Sequence, residues 1–478
     1  MPDTALPSSM SALLDKIRAA VGERGVLADP PDIAPYVEDW RRLYHGRTPA
    51  VVRPASTAET QAVMRLCAEA RVSVVPQGGN TSMVGGATPS PDGSQIVLNL
   101  SRLNRVQSLD TVDLALTLDA GVTLKAAQEA AKQAGCLLPL SIASEGSAQI
   151  GGILATNAGG NNTVRYGNAR DLVLGLEVVL ADGTIWNGLR TLRKDNTGYC
   201  LRQLFVGSEG TLGIITAAVL RLAPYPRERE VALCAVTSPE AALDLFTRFQ
   251  SYDPAALHAF EYMSGTGMAF VLRHIPNTAL PLGARAAHYT LVELATPRPD
   301  AGLRVGMEAV LEQALVDGIV TDAVIAESEA QQNAIWRLRE EHSEAQKREG
   351  ASVKNDVSVP VSRVPELIHR ARAACEALIP AIRCVPFGHV GDGNVHFNLE
   401  QPEGSDPDWF LAQDHAIMDA VNDVVRDLGG SFSAEHGVGQ LKPYMLPDWR
   451  GGAELGLMQR IKTALDPDGL MNPGKVLP

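Results

Sequence analysis

Pro76-Gln77-Gly78-Gly79-Asn80-Thr81-Ser82-Met83-Val84-Gly85-Gly86 follows a short run of strand character, Val72-Ser73-Val74-Val75. A Gly-rich turn at the end of a strand lets successive backbone N–H groups converge on an anion such as a pyrophosphate. Alone it carries little, because glycines after strands are more often plain turns. Two further stretches give it weight: Gly146-Ser147-Ala148-Gln149-Ile150-Gly151-Gly152 leading into Asn157-Ala158-Gly159-Gly160, and Gly207-Ser208-Glu209-Gly210-Thr211-Leu212-Gly213. No helix opens on a GxGxxG fingerprint, so a Rossmann fold is not expected. Three separated Gly-rich loops point instead to a long cofactor lying across one domain, in a channel of backbone too narrow for side chains.

Around these loops the pattern alternates helix and strand. Ser9–Val21 reads as an amphipathic helix and Ala50-Val51-Val52-Arg53-Pro54 as a strand. Ser56-Thr57-Ala58-Glu59 has capping-box form and opens a helix to about Ala70. Leu172–Leu180 is a strand that enters a hairpin turn at Ala181-Asp182-Gly183-Thr184. From Pro226 onward longer helices alternate with strands, among them Val231–Val236 and Ala287–Leu294.

The chemistry concentrates near the C-terminus, in His389-Val390-Gly391-Asp392-Gly393-Asn394-Val395-His396-Phe397-Asn398 and Ser433-Ala434-Glu435-His436-Gly437. Asp392-Gly393 is a dipeptide favoured in two-residue hairpin turns, here between strands Cys384–Val390 and Val395–Leu399. A turn there sets His389 opposite His396, with Cβ atoms roughly 5 Å apart and both rings able to hold one ion. Asn398 falls on the same face. A lone histidine is usually structural, but two in register beside a Glu-His pair suggest a metal centre. Glu435 completes a set of His389, His396 and one carboxylate, which suits zinc as a Lewis acid or iron(II) as a redox centre; zinc is the expectation. His436 is left to move a proton.

Ala330–Lys347 is strongly helical in character and carries Arg339 and Ser343 four residues apart, on one face. Val353–Val359 alternates as a strand with Lys354, Asp356 and Ser358 on one side, which is either a solvated face, the commoner case, or a pocket wall.

Composition bounds the reading. A chain of 478 residues can build two or three cores, and 45% hydrophobic with 20% charged residues is ordinary globular usage. A net charge of −13 without a basic cluster disfavours a nucleic-acid partner. Met1-Pro2-Asp3-Thr4 lacks a basic segment leading into an apolar one, so no secretory signal is expected. No apolar run approaches the roughly 20 residues of a bilayer span. Six cysteines scattered without a CxxC pair fit a reducing cytoplasm.

The three Gly-rich loops together resemble the FAD domain of the vanillyl-alcohol-oxidase and p-cresol-methylhydroxylase (PCMH) superfamily. His389–His396, Ser433–Gly439 and the closing Asn472-Pro473-Gly474-Lys475 narrow the resemblance to its D-2-hydroxyacid dehydrogenase branch, nearest the enzymes of D-2-hydroxyglutarate, over most of the chain from about residue 35. The resemblance implies an α+β fold: an N-terminal helical extension over 1–45, a two-subdomain PCMH-type FAD domain over 46–225, and an α/β substrate cap with an antiparallel sheet and the metal site over 226–440. A helical segment over 441–478 then returns to the FAD domain.

It further implies that Pro76, Gly78, Gly79, Asn80, Thr81, Gly85 and Gly86 of the first loop approach FAD. Gly146, Ser147, Gly151, Gly152 and Asn157 of the second do the same, with Gly210, Ile214 and Asn472. Asn80 stands where some relatives carry a flavin-linking histidine, so the FAD is expected to be non-covalent. Arg339 and Lys354 match positions that bind the distal carboxylate of a diacid, with Ser343 in place of a threonine. The expected reaction is metal-assisted oxidation of D-2-hydroxyglutarate, or of D-malate, to the 2-oxo acid, with His436 as general base and Asn398 on the substrate. The implied electron acceptor is an electron-transfer flavoprotein or a quinone, and a homodimer is compatible. Alternatives are D-lactate or glycolate oxidation, and a flavin-dependent transferase of the alkylglycerone-phosphate synthase type.

Overall fold

The structure, a computed structural model, describes residues 8–478; residues 1–7, which include the Met1–Thr4 segment read for a targeting signal, lie outside them. The chain divides into two units. The first takes the residues up to Gly159, then Asn168–Pro224 and Glu435–Pro478; the second takes Gly160–Gly167 and Tyr225–Ala434.

The first unit holds two sheets. In the smaller, Val51–Val52 and Val74–Gln77 both run parallel to Ile96–Asn99, and Val26–Leu27 adds an antiparallel edge. The helix Thr57–Ala70 connects Val51–Val52 to Val74–Gln77, the two parallel strands that flank Ile96–Asn99. Ser56 Oγ accepts the Glu59 N–H at 3.1 Å, while the Glu59 carboxylate turns to the Ala55 N–H at 2.8 Å. The strand before the first Gly-rich loop begins at Val74, two residues later than its apolar run suggests. Arg71 ends the helix in the left-handed region, and the Val72 N–H is used on Cys67 C=O at 2.9 Å, so these residues belong to the helix cap. The larger sheet is antiparallel throughout, in the order Val106–Asp110, Ala115–Asp119, Ile214–Arg221, Val173–Val179, Ile185–Gly188. Its last two strands form the expected hairpin, in which Gly183 takes φ +79° and Asp182 accepts the Thr184 N–H at 2.8 Å.

The second unit is built on one antiparallel sheet. Its order is Val320–Ile325, Glu228–Val236, His288–Thr296, Leu257–Ser264, Arg383–Gly388, Asn394–Glu400, Ser352–Val353, and Asp356–Ser358 also pairs with Asn394–Glu400. Helices Gly265–His274, Glu329–Glu340 and His342–Glu349 cover one face, over a core that includes Met263, Val271, Trp336, Leu338 and Phe387.

Two expectations are corrected here. The helix read over 330–347 is two helices, Glu329–Glu340 and His342–Glu349, broken at Glu341 (φ −80°, ψ 1°). The His342 imidazole takes Leu338 C=O at 2.8 Å, an acceptor that a continuous helix would offer to the His342 N–H. Arg339 and Ser343 therefore do not share one helical face: Arg339 is buried and Ser343 is exposed.

The hairpin turn also differs. The strands end at Gly388 and resume at Asn394, and an odd connection, His389–Gly393, joins them. The register pairs Phe387, not His389, with His396. Asp392 is drawn into a 3-10 turn, its N–H on His389 C=O at 3.1 Å and its carboxylate on the Asn394 N–H at 3.0 Å. Gly393 takes φ +87° so close to Val359 C=O that a Cβ would sit 2.2 Å from that oxygen.

Candidate metal and anion site

The strand Asn394–Glu400 sends His396, Asn398 and Glu400 to one face, and the observed register adds Phe387 and Val385 beside them. On the other side, Asp356 opposes His396. The register of Ser352–Val353 is continuous with that of Asp356–Ser358, so Lys354 comes opposite Asn398 even though the ladder is interrupted. At the interruption Asn355 supplies replacement bonds: its N–H to Asn398 Oδ1 at 3.2 Å and its amide to Phe397 C=O at 3.1 Å.

His389 lies just beyond the strand rather than opposite His396, yet the two imidazoles converge. Their ring centroids are 5.8 Å apart, and one ligand nitrogen of each lies within 4.8 Å of the other. Each has a carboxylate neighbour. His389 Nδ1 bonds Glu261 Oε1 at 2.6 Å, and His396 Nδ1 is 3.6 Å from Asp356 Oδ1. Paired imidazoles with one nitrogen already engaged suit a divalent cation. Ala434, whose N–H bonds Asp356 C=O at 3.2 Å, is followed directly by Glu435 and His436, the first residues of the segment counted with the other unit.

Glu261 has no exposure and is bound on both sides, by His389 and by Arg339 Nε at 2.6 Å. Burial pushes its carboxyl up, but the Arg339 charge and His389 outweigh that and hold it at about 2, so it is an anion. Arg339 also lies over the Phe387 ring at 4.9 Å. Its two terminal nitrogens have no partner among the described residues, which leaves the far edge of the guanidinium available to an anion. Burial and the Arg339 charge push the His342 imidazole down to about 3, so it stays neutral next to that cation.

Lys354 Nζ donates to Gln346 Oε1 at 3.0 Å, and the same oxygen accepts Asn398 Nδ2 at 2.9 Å. Gln346 therefore aligns two of the residues expected to touch substrate. Burial pushes the neighbouring Glu400 carboxyl up to about 8 against the pull of Lys354 and Arg383, so it keeps its proton at neutral pH and does not cancel the Lys354 charge.

In the first unit, the N–H groups of Gly78, Gly79, Asn80 and Thr81 meet no acceptor among the described residues. Asn80, at φ +54°, is held by its amide on Pro35 C=O and Glu38 C=O, and a Cβ on Gly79 would meet Ser147 C=O at 2.0 Å. The first and second Gly-rich loops are thus in backbone contact. Gly146 and Gly152 face open space. Gly151 abuts the Ala120 side chain and Gly210 abuts Pro76, while Asn157 accepts the Arg170 N–H at 2.9 Å. Gly85 packs on Tyr44, and Ile214 is buried at the start of its strand.

Asn472 ties the first loop to the third, donating to Gly86 C=O at 2.9 Å and Glu209 C=O at 2.7 Å. Its buried Oδ1, like that of Gln149 Oε1, is left without a protein partner. Four unused N–H groups and two orphaned buried oxygens fit a cofactor with both a pyrophosphate and hydrogen-bonding ring edges.

Glu261, Gln346 and Glu209 escape a reading of the sequence. Glu209 accepts the Val438 and Gly439 N–H groups at 2.7 and 2.8 Å, just beyond His436, although burial pushes its carboxyl up. The local signal for Glu261 is a carboxylate flanked by Ala259-Phe260 and Tyr262-Met263, in a strand that also carries His258.

Comparison with known proteins agrees with this geometry. The profile of the FAD binding domain matches residues 48–188, and that of the FAD linked oxidases, C-terminal domain, matches 225–476. The chain is 37% identical to D-2-hydroxyglutarate dehydrogenase of Xanthomonas citri pv. viticola, over 96% of each chain. It is 39% identical to the mitochondrial D-2-hydroxyglutarate dehydrogenase of Bos taurus, over 95% of this chain and 81% of that one. Among solved structures, p-cresol methylhydroxylase with substrate bound superposes with a TM-score of 0.76 at 16% identity, over 100% of this chain and 98% of that one, and so shares the fold. Among the described residues no helix is long and apolar enough to cross a membrane.

Proposed function

Because this chain belongs to the FAD-linked oxidase family and is an FAD-dependent oxidoreductase, we propose that it oxidises a D-2-hydroxy dicarboxylate, D-2-hydroxyglutarate before D-malate, to the 2-oxo acid. Bound FAD supplies the hydride acceptor and a divalent metal, zinc in this reading, supplies a Lewis acid. His389, His396 and Glu435 hold the metal. The Arg339 terminal nitrogens and Lys354 grip the distal carboxylate, and Asn398 orients the reacting end; Ser343, exposed and off the Arg339 face, takes no part. His436 receives the proton of the 2-hydroxyl. The loop N–H groups from Gly78 to Thr81 take the pyrophosphate, and Asn80 in place of a linking histidine makes the FAD non-covalent.

The observation that carries this reading is the unspent edge of Arg339, held by Glu261 on the sheet face that carries the paired imidazoles. A monocarboxylate would leave those terminal donors without an acceptor. Two-electron reduction of the flavin then feeds a protein or quinone acceptor, and the cysteines, all free, favour a reducing cytoplasm as the setting.

An anaerobic titration of the purified flavoprotein with D- and L-2-hydroxyglutarate, D-malate and D-lactate tests the proposal through loss of the flavin's visible absorbance. Fast bleaching by the D-dicarboxylates is expected, with little by the L-enantiomers. Bleaching by D-lactate at the same rate would remove the case for a dicarboxylate.

A further inference from the structure

Glu261 occupies an unusual position for a carboxylate. It sits in the middle of the strand Leu257–Ser264, has no exposure, and does not itself belong to the residues expected to meet substrate or metal. Its two oxygens serve two different residues: Oε1 takes His389 Nδ1 and Oε2 takes Arg339 Nε, both at 2.6 Å. We infer that Glu261 is a positioning residue that joins metal ligation to recognition of the distal carboxylate, by fixing the imidazole of His389 and the guanidinium of Arg339 through one rigid group. The inference rests on the metal and dicarboxylate reading given above.

The geometry explains how one side chain does both. An acceptor at Nδ1 keeps that nitrogen protonated, so the neutral ring presents its Nε2 lone pair to a cation. An acceptor at Nε of Arg339 turns the guanidinium so that its terminal nitrogens face the other way, and stacking on Phe387 at 4.9 Å restrains its plane. Phe387 also lies 5.0 Å from the His396 ring, centroid to centroid, so the second imidazole packs on the same aromatic surface. The ionised carboxylate compensates the buried guanidinium, which without it would be a stranded buried cation.

Glu261→Gln is the informative substitution, because an amide offers one acceptor oxygen to two donors and must abandon either His389 or Arg339. The FAD-loaded wild type and variant are compared by competition titration of zinc against a chromophoric chelator. Zinc binding is expected to weaken about 10- to 100-fold, the usual effect of removing a ligand's outer partner. In nitrogen-15 spectra of the metal-free protein, the His389 ring is expected to lose its single Nδ1–H tautomer. KM for D-2-hydroxyglutarate should rise roughly tenfold or more while that for D-lactate moves far less.

A folded variant, judged by its flavin spectrum and far-ultraviolet dichroism, that binds zinc within twofold of wild type and keeps the tautomer overturns the inference and leaves the metal reading intact. A wild type that binds no zinc takes down both. If Glu261→Gln does not fold, the double variant Glu261→Leu with Arg339→Met, which removes the acceptor of His389 and leaves no stranded buried cation, carries the same zinc and tautomer tests.

Discussion

At the scale of a residue, the proposed function places substrate specificity on Arg339. A charge-assisted hydrogen bond in an enclosed site contributes about 1.5–3 kcal/mol. Arg339→Ala should therefore lower kcat/KM for D-2-hydroxyglutarate by roughly one to two orders of magnitude, with a much smaller change for D-lactate in parallel steady-state assays. Equal losses on both acids would mean that the guanidinium supports the fold rather than the substrate. His436→Ala should lower kcat by about 10²- to 10⁴-fold at neutral pH, the range of a lost general base, and near wild-type turnover would dismiss that role. His436 is legible in the chain from its Glu-His pair beside glycines, and Arg339 from its match to an anion-binding position of the family it resembles, whereas the helical face expected to join Arg339 to Ser343 is not formed. Glu261 is not legible, because its significance lies in two contacts, to Arg339 and His389, that are distant in sequence.

At the scale of elements, the hairpin that carries the two histidines depends on Gly393. Its φ of +87° and its approach to Val359 C=O leave no room for a side chain. Gly393→Ala should destabilise the protein by more than the ~1 kcal/mol usual for a glycine in an incompatible backbone conformation, seen as a lower denaturation midpoint, and should weaken zinc binding together with it. The central strand His288–Thr296 supplies a second test through Glu293. Burial pushes its carboxyl up, but bonds to His258 and Arg229 prevail and hold it at about 2, well below the usual carboxylate value near 4.5. A depressed folded-state pKa means stability that is fully present above about 4.5 and lost as pH falls toward 2. Glu293→Gln should flatten the fall of Tm across that acid window, and an unchanged slope would assign acid unfolding to other groups.

These elements also show where pattern reading stops. Ser56 and Asp182-Gly183 announce a helix start and a turn because the signal lies within a few residues. Asp392-Gly393 has the same local signature, yet Val359, just after the strand Asp356–Ser358 and lodged against Gly393, goes with a longer loop than the dipeptide prefers. Likewise the break at Glu341 accompanies the burial of Arg339 and His342, which no periodicity encodes.

For the whole molecule, the loops that fit FAD belong to the first unit and the paired histidines to the second. Chelation should accordingly abolish turnover while the bound flavin's absorbance persists, and one divalent metal should restore the rate; full activity after metal removal would refute the ligand set. Thiol chemistry reads the integrity of both units. Burial pushes Cys67, Cys234 and Cys375 up to about 12 and Cys384 to about 11, whereas Cys200 is exposed. A thiol reagent at pH 8 should label Cys200 rapidly and the buried cysteines only on unfolding. The sequence by itself determined the α+β class, the FAD-binding loops and the identities of the histidines, because glycine runs, caps and clustered ligands act over short distances along the chain. Only the tertiary structure decided that Phe387 faces His396, that Arg339 separates from Ser343, and that one buried carboxylate, Glu261, bonds both His389 and Arg339. Register, helix breaks and bridging contacts are settled by packing between strands and helices remote in sequence, where burial and charge compensation outweigh local preference.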